Sequence, residues 1–317
     1  MKIISIVVPV FNEEDNIQHF YESICQNMEP LPYEFELIFV DDGSKDRSRE
    51  ILRELEKKDS RIQSIFLAKN YGHQLALTCG LDYAEGDAVI TMDGDMQHPP
   101  ELLPVLLEQW ENGYEVVQTI RKTTEGVSAM KKLTSYYYYK VLNKLSDVHI
   151  QEGGSDFRLM DRVVVKAFRR YREHARFIRG MIGDMGFKQT RIEFVAPKRF
   201  AGVSKFSPKK MLNFAIDGVL AYSIMPLRLG LYIGFLCAVV SILIICHVLV
   251  SKFIFDDAVA GWTTTMACIL FFGGMQMMVL GIIGEYLGRV FEEVKKRPLY
   301  LIARGKPKEE MDIESEA

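Results

Sequence analysis

Short apolar runs alternate with longer amphipathic segments through the first 112 residues. The apolar runs begin at Ile3, Phe35, Ile62 and Asp87, span about five to eight residues and are rich in β-branched side chains, a pattern typical of buried strands. The amphipathic segments, at 16–28, 46–57, 73–85 and 100–112, have the mixed composition of surface helices. This alternation predicts an α/β domain with a mostly parallel sheet that is covered on both faces.

Two segments near the C-terminus have a different pattern. Residues 229–251 and 262–284 each contain 23 residues without Asp, Glu, Lys or Arg. At about 1.5 Å per residue, each could cross a hydrocarbon core of roughly 30 Å. We predict a hairpin of two transmembrane helices within 229–288. A buried helix pair of a soluble domain is the alternative, which two such lengths joined by ten residues disfavour.

Basic residues near these segments predict their orientation. The outer flanks carry a basic cluster, whereas the connecting loop offers only Lys252 beside two aspartates. The flanking cations are Lys209, Lys210, Arg228, Arg289, Lys295, Lys296, Arg297 and Arg304. Because basic loops stay on the cytoplasmic side, both termini are expected there, with a catalytic domain at 1–204 and a cytoplasmic tail at 289–317. Residues 205–228 are expected to lie on the bilayer as an amphipathic segment, with a plain core helix as the alternative.

Composition excludes some classes of function. The chain of 317 residues has a formal net charge of −3, which argues against a general nucleic-acid binder. Its five cysteines form no C-x-x-C pair, so neither a disulfide framework nor a zinc site is expected. The partner must therefore be inferred from local chemistry.

Carboxylates cluster where two predicted strands end. Asp41 and Asp42 follow one apolar run, and Asp93 and Asp95 follow another. In open α/β sheets ligands bind beyond the carboxyl ends of the strands. No G-x-G-x-x-G or G-x-x-x-x-G-K-[ST] motif is present to hold phosphate, but an Asp-x-Asp pair can supply hard oxygen ligands to Mg²⁺ or Mn²⁺, with Gln97 beside it. The competing interpretation is a pair of solvated strand-end caps.

Six stretches, in order along the chain, carry a family resemblance. They are "VVPVFNEEDNI" from Val7, "VDDGSKDRS" from Val40, "MDGDMQHPP" from Met92, "GSDFRLMDR" from Gly154, "RFAGVSKF" from Arg199 and "GIIGEYLGRVFEEVKKRPLY" from Gly281. The chain resembles the family-two glycosyltransferases of the GT-A fold, and among them the bacterial undecaprenyl-phosphate glucosyltransferases and the dolichyl-phosphate mannose synthases. The resemblance implies a multi-pass protein of the cytoplasmic (inner) membrane.

The resemblance also implies roles for individual residues. Pro9, Glu13, Asp42 and Asp93 match positions of nucleotide binding, and Asp93, Asp95 and Gln97 match the metal motif. Arg121, Arg199 and Lys205 match the cations that meet the acceptor phosphate, and Asp156, Asp95, Arg121 and Arg199 are the expected catalytic set. For Asp156 we expect orientation of the phosphate and leave open a role as base. Arg158 and Asp161 are expected to support this loop as a local ion pair.

The function implied is an inverting transfer of glucose or N-acetylglucosamine from a UDP-sugar to undecaprenyl phosphate, with Mg²⁺ or Mn²⁺ as cofactor. A GDP-mannose-dependent polyprenyl-phosphate mannose synthase, a different acceptor such as a diacylglycerol, and a catalytically silent membrane scaffold remain as alternatives. A processive polysaccharide synthase is disfavoured, because two spans cannot build a sugar channel and no Q-x-x-R-W motif is present. A homo-oligomer is possible through the tail.

Overall fold

The computed structural model describes residues 1–122 and 154–195, the positions 227, 230, 232–237, 239–240 and 242–243, and residues 261–304. The chain divides into two compact units. The first comprises Met1–Asn143, Val148–Ser207 and Pro298–Ala317, and the second comprises Lys144–Asp147 and Pro208–Arg297. The final stretch of the chain therefore belongs with the first unit.

An eight-stranded sheet forms the centre of the first unit. Its strands are β1 (Ile3–Val10), β2 (Glu34–Asp41), β3 (Ile62–Leu67), β4 (Ala88–Thr91), β5 (Val116–Arg121), β6 (Gly154–Asp161), β7 (Gln189–Phe194) and β8 (Ile302–Arg304). Their order is β7-β5-β6-β4-β1-β2-β3-β8. β6 and β8 run antiparallel to their neighbours and the other six strands share one direction. The predicted fold class, α/β with a mostly parallel sheet, is confirmed.

Helices cover both faces of this sheet. They are α1 (Ile17–Met28), α2 (Ser48–Lys58), α3 (His73–Tyr83), a 3₁₀ turn at Pro100–Leu102, α4 (Leu103–Glu111), α5 (Arg162–Arg170) and α6 (Ile178–Asp184). α1 packs with α2 and α4, whereas α3 packs with α5 and lies on β1 and β2. α3 approaches β1 closely because it carries Gly80, where an added Cβ would lie 2.2 Å from Val7 Cγ1.

The strand order sets the position of a cleft. From β1 the chain winds outward through β2 and β3, and then α3 carries it back to β4 on the other side of β1. This reversal is the topological switch point at which open α/β sheets bind ligands. The carboxyl ends of β1, β2, β3, β4 and β5 all meet at this edge, together with the amino end of the antiparallel β6.

The end of the chain is built into the same sheet. β8 pairs with β3, and the backbone N–H of Ala68 donates to the carbonyl of Leu301 at 2.8 Å. Tyr300 donates its hydroxyl proton to the buried carboxylate of Asp82 at 2.7 Å, and Arg172 binds the same carboxylate at 2.7 Å. Burial and the charge of Asp82 raise the pKa of Tyr300 far above its usual value, so the hydroxyl stays a donor. This segment is an integral part of the first unit.

Replacing Tyr300 with phenylalanine is expected to destabilise the first unit. A hydrogen bond to a charged group contributes about 1.5–3 kcal/mol, which corresponds to a fall in melting temperature of roughly 3–12 °C for a domain of this size. Tyr114→Phe is the matched control, because the Tyr114 hydroxyl has no hydrogen bond within the described residues. Thermal unfolding of the purified variants in detergent measures the difference, and equal melting temperatures for Tyr300→Phe and Tyr114→Phe would contradict the expectation.

Among its described residues, the second unit contains one long apolar helix, α7 (Trp262–Val294), whose segment Phe271–Val294 is long and apolar enough to cross a membrane. It continues ten residues past the predicted end at 284. The described positions between 230 and 243 are helical, and two of them approach α7: a Cβ on Gly230 would lie 3.7 Å from Val279, and the Cys237 sulfur lies 3.0 Å from that of Met275. Large apolar side chains along α7 are exposed within the single chain.

The predicted four-part division of the chain stays a prediction, and the segment at 205–228 falls almost entirely outside the described residues.

Candidate active site

The loop that follows β4 carries the predicted Asp-x-Asp pair. The backbone N–H of Asp93 donates to Nδ1 of His98 at 2.8 Å, and that of Gln97 donates to Asp95 Oδ1 at 3.1 Å. Met96, with φ of 60°, turns the loop back on itself. These bonds hold both carboxylates at the carboxyl end of β4, at the switch point of the sheet.

His98 supports this loop by linking it to β6. Its ring stacks on Phe157 with 5.2 Å between ring centroids, and its Nε2 lies 2.8 Å from the hydroxyl of Ser155. Because Nδ1 accepts the Asp93 N–H, the proton of the neutral ring is on Nε2. Burial lowers the pKa of His98, which favours this neutral form. The ring therefore acts as a fixed link between the β4 loop and β6.

Asp156, near the start of β6, is the centre of a charged cluster. Its carboxylate is 8% exposed and accepts two bonds from Arg179 of α6, at 2.9 Å from Nε and 3.0 Å from Nη2. Arg158 donates a third at 2.9 Å, and the amide of Gln74 lies 3.5 Å away. Burial raises the pKa of Asp156, but the charge of Arg179 and the hydrogen bond from His73 outweigh burial and hold it well below its usual range.

His73, the first residue of α3, stands between the two sets of carboxylates. Its Nε2 lies 3.5 Å from Asp93 Oδ1 and 3.4 Å from Asp156 Oδ2, and its side chain is 40% exposed. Burial lowers the pKa of His73, but the two carboxylates more than offset this and raise it to about 9. The ring is therefore cationic at neutral pH and joins the Asp-x-Asp loop to the Asp156 cluster.

Asp42 holds the loop that presents His73. Its buried carboxylate accepts the backbone N–H of Tyr71 at 2.6 Å and that of Gly72 at 2.9 Å. Gly72 has φ of 95°, a conformation that favours glycine. Burial raises the pKa of Asp42, and these two N–H groups lower it in part. The structure thus assigns Asp42 a loop-supporting contact, and its predicted contact with a nucleoside stays a prediction.

Pro9 and Glu13 lie at the end of β1, directly beside β4. Pro9 is buried within the strand. The backbone N–H of Glu13 donates to the Ser48 hydroxyl at 3.0 Å, and its carboxylate accepts the amide of Asn16 at 2.6 Å. Both predicted residues are therefore at the switch point, with Glu13 fixed by the start of α1 and α2.

The structure describes one of the three predicted phosphate-binding cations. Arg121 is the last residue of β5, is exposed, and lies at the same edge of the sheet as Asp93. Arg199 and Lys205 fall outside the described residues. Gln97 contributes a backbone bond to Asp95, and its predicted part in metal binding stays untested.

The predicted ion pair between Arg158 and Asp161 is wrong. Successive residues of a strand point to opposite faces, so Asp156 and Arg158 share a face of β6 that Asp161 does not. Asp161 instead caps α5 by accepting the N–H of Val163 at 2.8 Å, and it accepts the indole N–H of Trp110 at 2.7 Å. Arg158, with 0% exposure, belongs to the Asp156 cluster.

Two carboxylates in the site could hold a divalent cation. Within 1–122, 154–195 and 261–304, no group of three or more His, Cys, Asp or Glu side chains forms a closed metal site. Mg²⁺ commonly takes one or two protein carboxylates and completes its shell with water and substrate phosphate. Asp93, 34% exposed, and Asp95 fit such a partial site because their oxygens lie on an open edge. The neighbouring cations His73 and Arg179 favour an anionic ligand there.

Four residues of the cluster were not predicted: His73, Gln74, His98 and Arg179. His98 had a signal, because it stands in "MDGDMQHPP" five positions after Asp93. Arg179 and Gln74 had none, since each is more than 20 residues from Asp156 in sequence and lies on a helix that only the folded structure brings next to it.

Known protein families and relatives match most of the chain. Residues 5–169 match the family Glycosyl transferase family 2, and residues 225–290 match the GtrB C-terminal hairpin. The chain is 39% identical over 307 residues to the SfII prophage-derived bactoprenol glucosyl transferase of Shigella flexneri, covering 96% of this chain and 99% of that protein. It is 42% identical over 300 residues to the glycosyltransferase YkcC of Bacillus subtilis, covering 95% and 93%.

A solved structure with a similar fold is glucosyl-3-phosphoglycerate synthase from Mycobacterium tuberculosis, crystallised with Mn²⁺, UDP-glucose and phosphoglyceric acid. It is 18% identical, covers 69% of this chain and 78% of that one, and has a TM-score of 0.43. The hairpin match and the apolar helix α7 indicate association with a membrane. The family match over residues 5–169 and the near-full-length relatives establish that the chain belongs to glycosyltransferase family 2.

Proposed function

We propose that this glycosyltransferase transfers glucose from UDP-glucose to the phosphate of undecaprenyl phosphate or a closely related polyprenyl phosphate. The observation that carries the proposal is the near-full-length similarity to a relative named bactoprenol glucosyl transferase, which extends through both the family 2 domain and the hairpin. The site agrees with it, because carboxylates and cations meet at the switch point of an α/β sheet.

Asp93 and Asp95 are proposed to hold Mg²⁺ or Mn²⁺ together with the donor diphosphate. The ion, when bound, would neutralise the charge that develops on the departing nucleoside diphosphate. Pro9, Glu13 and Asp42 lie at the ends of β1 and β2, on the side of the cleft that would receive the nucleoside. Asp42 would act there through the loop that ends at His73.

The transfer is proposed to be a direct displacement, in which an oxygen of the lipid phosphate attacks the anomeric carbon and the sugar configuration inverts. A phosphate monoester has a second pKa near 6, so the attacking oxygen is already anionic at neutral pH. Asp156, with a pKa held well below its usual range, is a weak base and is better suited to orienting its neighbours. Rate enhancement would then come from alignment and charge stabilisation.

The membrane is proposed to supply the second substrate. Two helices would anchor the enzyme in the cytoplasmic membrane as a multi-pass protein with both termini on the cytoplasmic side. Leu301 belongs to the first unit and lies at the carboxyl end of β3, the edge that carries the site. Arg121, Arg199 and Lys205 are proposed to meet the lipid phosphate at this edge. A homo-oligomer joined through the tail remains a hypothesis.

The test is a panel of donors and acceptors with the purified protein in nanodiscs. We expect a labelled lipid from UDP-glucose and undecaprenyl phosphate in the presence of Mg²⁺ or Mn²⁺, and none from diacylglycerol. A product only with GDP-mannose would move the assignment to a mannose synthase, and only with UDP-N-acetylglucosamine to that sugar. UDP should also raise the melting temperature in a metal-dependent manner, which a silent scaffold need not show.

A further inference from the structure

The hydrogen-bonded pairing of β4 with β6 ends just before the candidate site. The last residue pair is Thr91 with Arg158, and the hydroxyl of Thr91 donates to the carbonyl of Asp156 at 2.5 Å. Asp93 and Asp95 lie in the loop after β4, past this last pair. Within the described residues, the strand pairing therefore does not set the distance between the Asp-x-Asp loop and Asp156.

His98 connects the two segments at the point where the pairing ends. Met92, directly after β4, still donates its N–H to β1 at 3.0 Å. The next N–H, that of Asp93, donates to Nδ1 of His98 at 2.8 Å. The other ring nitrogen, Nε2, lies 2.8 Å from the hydroxyl of Ser155, the residue before Asp156. One rigid ring thus joins the backbone of the first carboxylate of the loop to the start of β6.

The other neighbours of this ring are apolar. His98 is 6% exposed, stacks on Phe157 and meets Phe194 edge-on with 6.2 Å between ring centroids. An apolar side chain would fill such a space without the free-energy cost of removing an imidazole from water. Packing alone therefore does not account for a histidine at this position, whereas the hydrogen bonds of its two nitrogens do.

The distance that this ring sets matters for the chemistry of transfer. A displacement needs the attacking oxygen and the leaving group in line, and a misplacement of about 1 Å can cost roughly a hundredfold in rate. Resting on the proposed function, we propose that His98 is a positioning residue for sugar transfer. Its Nδ1 holds Asp93 in place for the metal ion and the donor diphosphate, and its Nε2 fixes that loop relative to Asp156.

Two substitutions separate the two ends of the ring. His98→Leu removes both hydrogen bonds and retains apolar packing. His98→Asn places a side-chain oxygen near the position of Nδ1, so the N–H of Asp93 keeps an acceptor while the bond to Ser155 is lost. A buried donor left without an acceptor corresponds to about a tenfold change in affinity. The dissociation constant of UDP with Mn²⁺, measured by calorimetry without lipid acceptor, should therefore rise about tenfold in His98→Leu and stay within about twofold of wild type in His98→Asn.

The rate of transfer reports on the other end of the ring. With saturating UDP-glucose and undecaprenyl phosphate, kcat should fall about a hundredfold in both His98 variants, because both lose the bond to β6. Tyr300→Phe is the control for a general loss of stability, since its partner Asp82 lies at the opposite end of α3 from His73. At a temperature where every variant is folded, Tyr300→Phe should keep the UDP affinity and the kcat of wild type.

A UDP affinity and a kcat of His98→Leu within about twofold of wild type would overturn the proposal. An equal loss of UDP affinity in His98→Leu and His98→Asn would do the same, as would a wild-type kcat in His98→Asn. A wild-type protein that binds UDP with Mn²⁺ and transfers no sugar would instead count against the proposed function. Because the binding measurement does not require transfer, it still tests the hold of His98 on Asp93, and the two failures are distinguishable.

Discussion

Replacing Asp95 with asparagine is expected to reduce sugar transfer about a thousandfold. Asn keeps the size of the side chain and an oxygen that can still accept the Gln97 N–H, so the loop should retain its fold. The change removes a negative charge from the proposed metal site. Loss of about 4 kcal/mol of charge stabilisation in the transition state corresponds to three powers of ten in rate. Initial rates with UDP-glucose and undecaprenyl phosphate measure it.

Glu101→Gln is the matched control for this variant. Glu101 lies in the same segment after β4, is exposed, and forms no hydrogen bond or ion pair within the described residues. Its replacement should leave the rate within twofold of wild type. A thousandfold loss in both variants would point to a general effect of charge in this segment, and full activity of Asp95→Asn would exclude Asp95 as a ligand.

Replacing Asp156 with alanine is expected to have the largest effect on stability. Arg158 would then be fully buried without its carboxylate, and breaking a buried pair by removing one partner costs about 3–5 kcal/mol. For a domain of this size, the melting temperature should fall by roughly 6–20 °C. Thermal unfolding in detergent, followed by tryptophan fluorescence, measures the change.

A double variant separates the buried charge from other causes. Asp156→Leu with Arg158→Met removes both charges of the buried pair, and replacement of such pairs by apolar residues is often close to neutral. It should therefore be more stable than Asp156→Leu alone, by a coupling that a double-mutant cycle with the single variants Asp156→Leu and Arg158→Met quantifies. Strictly additive effects would show that Arg158 does not depend on Asp156.

The apolar pattern predicted the first four strands and helices well, and the physical reason is burial. β1 to β4 are covered on both faces, so their runs of Ile, Val and Phe stand out from the helices between them. β6 was not predicted as a strand, because the charged residues Asp156 and Arg158 at its buried positions interrupt the apolar pattern. Their ion pair, which makes this burial tolerable, is apparent only from the fold. β8 has three residues and no periodicity to detect.

In the candidate site, too, only the residues with a local sequence signal could be predicted. Asp93 and Asp95 could be predicted, because a carboxylate pair directly after an apolar run is a local signal. The contacts of Asp42 with Tyr71 and Gly72 could not, since they depend on the turn between β3 and α3. Arg179 reaches Asp156 from a separate helix, so no spacing in the sequence indicates the pair.

The most direct test of the proposed transfer is product formation by the purified wild-type protein. Radiolabelled UDP-glucose and undecaprenyl phosphate are incubated with the protein in nanodiscs with Mn²⁺, and the lipid fraction is examined by thin-layer chromatography and mass spectrometry. We expect a labelled undecaprenyl phosphate carrying one hexose, present with wild type and Glu101→Gln and reduced about a thousandfold with Asp95→Asn. Label that stays in UDP-glucose, with a folded protein that binds UDP, would contradict the proposed acceptor or donor.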